Sequence, residues 1–224
     1  MVQAVAGAGK TTFLLNQLNL ENNVALITYT KNNQEQLKEN IIKKFGYYPN
    51  NIHVFGLFEF LYNFCYRPLQ NKYPITGICF DHPSPYLKGF HHKDGRIYSN
   101  QISRLLLAEK INYLTRIERF FDYFYIDEVQ DIAADDFDWL MSLKDLKIPV
   151  TLVGDFYQST FVSSRRGNKG KAIYSSIENY KNQFDQNGFH FEESKLIASH
   201  RCSKSVSHFI QENLNIRMES HRDD

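Results

Sequence analysis

Residues 4–11 read Ala4-Val5-Ala6-Gly7-Ala8-Gly9-Lys10-Thr11, and the fold turns on this stretch. Glycines at this spacing let successive backbone N–H groups curl around an anion. A short apolar strand, Val2 to Val5, leads into the turn, and a helix from Thr11 to Leu18 leads out of it. That helix points its positive end at the same anion. Lys10 is placed to reach β- and γ-phosphates, and the Thr11 hydroxyl to ligate Mg²⁺. The general phosphate-loop pattern has Gly where this chain has Ala4. On these residues alone, a structural glycine turn stays an alternative.

Working outward, Val24 to Thr28 reads as a buried strand, and Lys31 to Phe45 as a helix with Leu37, Ile41 and Ile42 on one face. Ile52 to Phe55 is a further strand, and Leu57 to Tyr66 a short aromatic helix. Tyr123 to Ile126 and Val150 to Val153 are two more strands, ending in acidic residues and in Gly-Asp respectively. Strands separated by helices imply right-handed crossovers, hence an α/β fold with a parallel sheet flanked by helices. In such sheets ligands sit at the carboxyl ends of the strands.

The chain has 224 residues, one large domain or one and a half small ones. Lys and Arg number 26 against 25 Asp and Glu, so the net charge of +1 excludes a histone-like basic binder and an acidic tail protein. With 42% apolar and 15% aromatic residues a real core can form. No run approaches the roughly 18–20 apolar residues of a membrane span, and no signal peptide is visible. Three cysteines (Cys65, Cys79, Cys202) make no disulfide framework. The expectation is a soluble cytoplasmic protein with no membrane partner.

Residues Arg67 to Asn100 differ in texture, with four of the six prolines, Gly77, Gly89, Gly95 and the pair His91-His92. They read as an insertion with little regular structure. Cys79, His82, His91 and His92 match no standard zinc spacing, and a surface loop is the preferred reading. Helical spacing resumes from Ser99 to Arg119. Arg165 to Lys171 is a basic loop, either a nucleic-acid contact or a plain surface segment.

Two strand ends carry candidate chemistry. In Asp127-Glu128-Val129-Gln130-Asp131 a carboxylate can hold the Mg²⁺ shell and its neighbour can deprotonate the attacking water. The alternative is a solvated acidic turn capping the helix of Ala133 and Ala134. In Gly154-Asp155-Phe156-Tyr157-Gln158-Ser159, Gln158 either bonds a γ-phosphate or its water, or is an exposed amide on a Gly-Asp turn.

Together these segments resemble the UvrD/Rep/PcrA family of superfamily 1 helicases. AVAGAGKT is similar to that family's form of the nucleotide loop, which has Ala at the first position, and Leu26 to Asn32 is similar to its Thr-aromatic-Thr-Asn segment. DEVQD resembles its DExQD, GDFYQS its Gly-Asp-x-x-Gln-Ser, and Leu196 to Ser203 its Leu-x-x-Asn-Tyr-Arg-Ser. The resemblance implies a RecA-like P-loop NTPase core that binds and hydrolyses ATP with Mg²⁺ and acts on DNA, single-stranded DNA above all. Ala6, Gly7, Ala8, Gly9, Lys10, Thr11 and Thr12 would then hold the nucleotide, with Thr11 and Asp127 on the metal. Lys10, Glu128, Gln158 and Arg201 would be catalytic, Glu128 as base and Arg201 on the γ-phosphate. His200 would replace the tyrosine that stacks on adenine, and Tyr29, Thr30, Lys31 and Asn32 would touch the nucleic acid.

The departures from the family are specific. Its adenine-recognising glutamine segment is expected to be missing, since the first strand begins at Val2, and Val54 to Phe58 lacks its Thr and His. After Gln158 only Phe161 stands for its aromatic pair. The chain ends shortly after Arg201, so the later motifs and most of a second motor domain are expected to be missing. The expected division is a core over 1–66 and 99–195, an insertion over 67–98, and the start of a second motor domain over 196–224. A protein partner supplying the missing half is implied. The rival reading is a nucleotide-gated subunit with little turnover.

Overall fold

The computed structural model describes residues 1–69, 75–81, 92–159, 163 and 169–222. Six strands form one parallel sheet: β1 (Val2–Ala4), β2 (Val24–Thr28), β3 (Ile52–Gly56), β4 (Tyr123–Ile126), β5 (Val150–Gly154) and β6 (Glu192–Leu196). Their spatial order is β3-β2-β4-β5-β1-β6. The helices are α1 (Lys10–Gln17), α2 (Lys31–Phe45), α3 (Ile102–Ala108), α4 (Tyr113–Phe120), α5 (Asp135–Ser142), α6 (Ile177–Gln186) and α7 (Lys204–Leu214).

Alternation along the strands builds two cores, one on each face of the sheet. Ala25, Ile27, Phe124, Ile126 and Leu152 face one; Val24, Leu26, Tyr125 and Val153 face the other. Because both faces are covered, β2 is buried along its whole length and reads as a continuous apolar run. The first core is strongly aromatic: Phe60 lies 5.4 Å from Phe124 and 6.3 Å from Trp139, ring centre to ring centre.

The strands expected between Val2 and Val153 form within a residue of the expected ends. The aromatic helix does so differently: after one α turn (Leu57–Glu59) it widens into a π-helix (Phe60–Tyr66). The wider turn brings Phe60 and Phe64 into a parallel stack at 5.0 Å, and Arg67 N–H donates to Tyr62 C=O at 2.8 Å. The helical stretch 99–119 is broken in two at Lys110, whose φ of 51° cannot continue a helix. Asn112 then caps α4 by accepting from Thr115 N–H.

The insertion is more regular than its composition suggests. Gly77–Cys79, His92–Lys93 and Arg96–Tyr98 form a small three-stranded sheet. His82 and His91 lie outside the described residues, as do Phe161 and Arg165 to Asn168 of the basic loop. Lys169, at the end of that loop, pairs with Asp135 and Asp138 of this same chain. Among the described residues no helix is long and apolar enough to cross a membrane.

Candidate active site

Since all six strands run the same way, the loops after β1, β2, β4 and β5 share one edge of the sheet. Register fixes this: Gln3 pairs with Gly154, Ile126 with Leu152, and Ile27 with Ile126.

The loop after β1 turns through Gly7 and Gly9, both left-handed at φ 74° and 82°. Ala8 N–H donates to Val5 C=O at 3.1 Å and closes the turn. Gly9 caps α1 without a side chain, and the first turn of α1 holds no acidic residue. The positive end of the helix therefore keeps its capacity for an anion. Ala6, Gly7, Gly9, Lys10 and Thr11 are partly buried, Ala8 is buried and Thr12 is exposed.

After β4, Asp127 is buried, and its carboxylate accepts the Glu128 N–H at 2.9 Å. Glu128 is left-handed at φ 55°, uncommon for a residue other than glycine. In that turn its carboxylate meets Lys10 Nζ at 3.2 Å and accepts from Gln130 Nε2 at 2.8 Å. Lys10 and Glu128, 118 positions apart, thus share one site. The acidic segment is not a solvated turn: Asp127, Gln130 and Asp131 are all buried.

After β5, Asp155 N–H donates to Gln130 Oε1 at 2.9 Å. Gln130 is therefore a two-ended brace between the Glu128 carboxylate and the end of β5. A Cβ at 154 would lie 2.7 Å from Gln130 Oε1 and 3.2 Å from the backbone nitrogens of Val129 and Gln130, so a larger residue there displaces the brace. Gln158 is partly buried in the short helical turn Phe156–Gln158, whose start is capped by the Asp155 side chain accepting from Tyr157 N–H. The bracing role of Gln130 was missed in the sequence. The visible signal was its place two residues after Glu128, but its partners come from β5.

The segment after β6 lies directly on the phosphate loop. Ser199 Oγ donates to Ala6 C=O at 2.7 Å, and His200 N–H donates to Gly7 C=O at 3.0 Å. Ser199 Oγ also accepts from Arg201 N–H and Cys202 N–H. A Cβ at Gly7 would lie 2.7 Å from Arg201 Cβ, so the exposed Arg201 side chain starts beside the loop. The His200 ring is exposed and stacks on His221, centres 4.0 Å apart. Ser199 carried no signal in the sequence beyond its neighbours.

At the end of β2, Tyr29 is partly buried, while Lys31 and Asn32 are exposed at the start of α2. Thr30 caps that helix by accepting from Asn33 N–H at 3.1 Å. Thr30 thus has a structural duty in addition to any contact. The Tyr29 ring meets Phe58 at 5.9 Å. Cys79 is buried, and among the described residues no group of three or more His, Cys, Asp and Glu is placed to hold a metal ion.

Three buried aspartates, Asp127, Asp136 and Asp155, are held unusually basic. Burial, then the neighbouring Glu128 charge, raises Asp127 to about 7 against an ordinary value of 3.8, with Lys10 opposing. Burial likewise raises Asp155 and Asp136 to about 6. A raised carboxyl keeps its proton in the folded chain while the unfolded chain loses it. The stability these groups contribute is thus present below about pH 4 and lost as pH rises through 6 to 7. The nucleotide-free chain should melt at a lower temperature at pH 8 than at pH 5.5, and Asp127→Asn should flatten that difference. A thermal-melt series across that range checks both; a melting point that rises steadily with pH would refute them.

No family model matches the chain, and no curated protein matches it in sequence. Among solved structures it aligns with the PRRSV helicase at 16% identity and a TM-score of 0.43, covering 99% of this chain and 35% of that one. It aligns with Pif1 from Bacteroides sp in complex with ADP-AlF4 at 16% identity and a TM-score of 0.41, covering 95% and 41%. The chain thus spans well under half the length of either. The α/β assignment rests on the parallel sheet itself.

Proposed function

We propose that this chain is the ATP-binding and ATP-hydrolysing core of a superfamily 1 helicase-like protein of the UvrD/Rep/PcrA kind, acting on single-stranded DNA. The observation that carries this reading is the Lys10–Glu128 pair at 3.2 Å, which joins a glycine-rich loop to an acidic strand end beside the buried Asp127. A glycine turn kept for structure alone has no use for that pairing.

The residues divide the work by their chemistry. Backbone N–H groups of Ala6 to Thr11, apart from that of Ala8, which closes the turn, and the Lys10 ammonium take the phosphates. The Thr11 hydroxyl and the Asp127 carboxylate suit Mg²⁺, a hard cation that takes oxygen donors and keeps waters and phosphate oxygens as its other ligands. Bound there, Mg²⁺ would neutralise phosphate charge. Without nucleotide, Lys10 neutralises Glu128. An arriving phosphate competes for Lys10, which leaves Glu128 held by Gln130 and able to accept a proton from water. Gln158 orients that water, and Arg201 approaches the γ-phosphate from beside Gly7. His200 offers a ring to the base. Movement along DNA needs a second motor domain that closes on the nucleotide.

Steady-state ATP hydrolysis by the purified chain, with and without single-stranded DNA, tests the reading. The expected result is turnover that rises with DNA and vanishes in Lys10→Ala. Nucleotide binding with no turnover in either condition would make the chain a nucleotide-gated subunit instead.

A further inference from the structure

The insertion places an exposed aromatic ring beside the candidate nucleic-acid segment. Phe80 directly follows the strand Gly77–Cys79 and is 66% exposed, the most open large apolar residue among those described. Its ring meets Phe58 at 5.6 Å and 76°, and Phe58 in turn meets Tyr29 at 5.9 Å and 65°. Three rings from separate parts of the chain thus form a row. It runs from the end of β2, past Phe58 two residues beyond β3, to the insertion. Tyr29 and Phe58 are partly buried and anchor the row, and Phe80 is two-thirds exposed.

We propose that Phe80 is a base-stacking residue, which carries the path of a single strand from Lys31 and Asn32 across the Tyr29–Phe58 pair and onto the insertion. This inference rests on the nucleic-acid reading given above. The occupant follows from what adjoins the row. Lys31 is exposed next to it, α2 begins there with its positive end, and the first turn of α2 holds no acidic residue. Phosphate would find a cation and a helix terminus just after Tyr29, and a base would find the exposed Phe80 ring. This pairing of electrostatic track and stacking platform suits single strands without sequence preference.

Binding of a fluorescein-labelled oligo-dT strand, followed by anisotropy at several salt concentrations, tests the proposal. Phe80→Ala should weaken binding by about 5–150-fold, since stacking on a ring is lost. It should leave the salt dependence of affinity and the basal ATP turnover unchanged. Lys31→Ala should also weaken binding, but with a salt slope reduced by about one. Phe80→Trp should retain affinity, and its indole emission should change on binding, read as the difference from the parent chain, whose single tryptophan, Trp139, is fully buried. If Phe80→Ala binds the strand like the parent while Lys31→Ala does not, the stacking role is overturned and the nucleic-acid reading survives. If the parent chain binds no strand with or without nucleotide, both fall. A lowered melting point with unchanged binding would make Phe80 a packing residue only.

Discussion

Glu128→Gln is expected to slow ATP turnover by about 10²–10⁴-fold, the usual weight of a general base, while nucleotide binds at least as tightly as before. The amide keeps the shape of the side chain and can still accept from Gln130 Nε2, a bond of 2.8 Å in the parent. It cannot hold Lys10 electrostatically, and so a competitor for the phosphates is removed. It also removes one of the charges that keep Asp127 protonated. Lys10→Ala breaks the same ion pair from the other side and should lose binding and turnover together. Single-turnover hydrolysis alongside a nucleotide titration separates the two variants. Turnover within threefold of the parent in Glu128→Gln would move the base elsewhere.

Gly7→Ala carries the second large effect. One methyl group there meets Arg201 Cβ at 2.7 Å and Ser199 Oγ at 2.9 Å, on a backbone at φ 74°. The left-handed conformation costs a residue with a Cβ about 1–2 kcal/mol, and overpacking adds about 1–3 kcal/mol. The expected loss of stability is thus about 2–5 kcal/mol. Gly9→Ala is the control: its φ of 82° imposes similar strain, but the nearest atom is 3.8 Å away. Chemical unfolding of both variants isolates the collision from the strain. Equal stabilities would mean that the segment after β6 does not rest on the loop.

Much of the scaffold was legible because it is made of local patterns. The run Val24 to Thr28 is apolar throughout because both faces of the sheet are covered, and Lys31 to Phe45 begins at a Thr cap and stops at Gly46 in a left-handed turn. β6 was not legible. Glu192-Glu193-Ser194-Lys195 lacks any apolar alternation, and the strand exists because it pairs with β1 at the edge of the sheet. The sheet of the insertion was hidden for a related reason, since its strands are two or three residues long. Lys10 and Glu128 could be proposed from their motifs, and the structure brings those two side chains together. The Gln130 brace and the Ser199 contact depend on which loops become neighbours, which spacing along the chain does not encode.

The hydrogen bonds from Ser199 and His200 to the carbonyls of Ala6 and Gly7 have a thermodynamic corollary. Those carbonyls belong to the glycine turn proposed to hold the phosphates, so loop and segment cannot be distorted independently. If occupancy of the loop changes the free energy of moving residues 198–222, the reverse holds by the same factor. A force or a ligand acting on α7 would then be felt as a change in anion affinity, with no contact to the anion. Measured from either end, the coupling would return a single number.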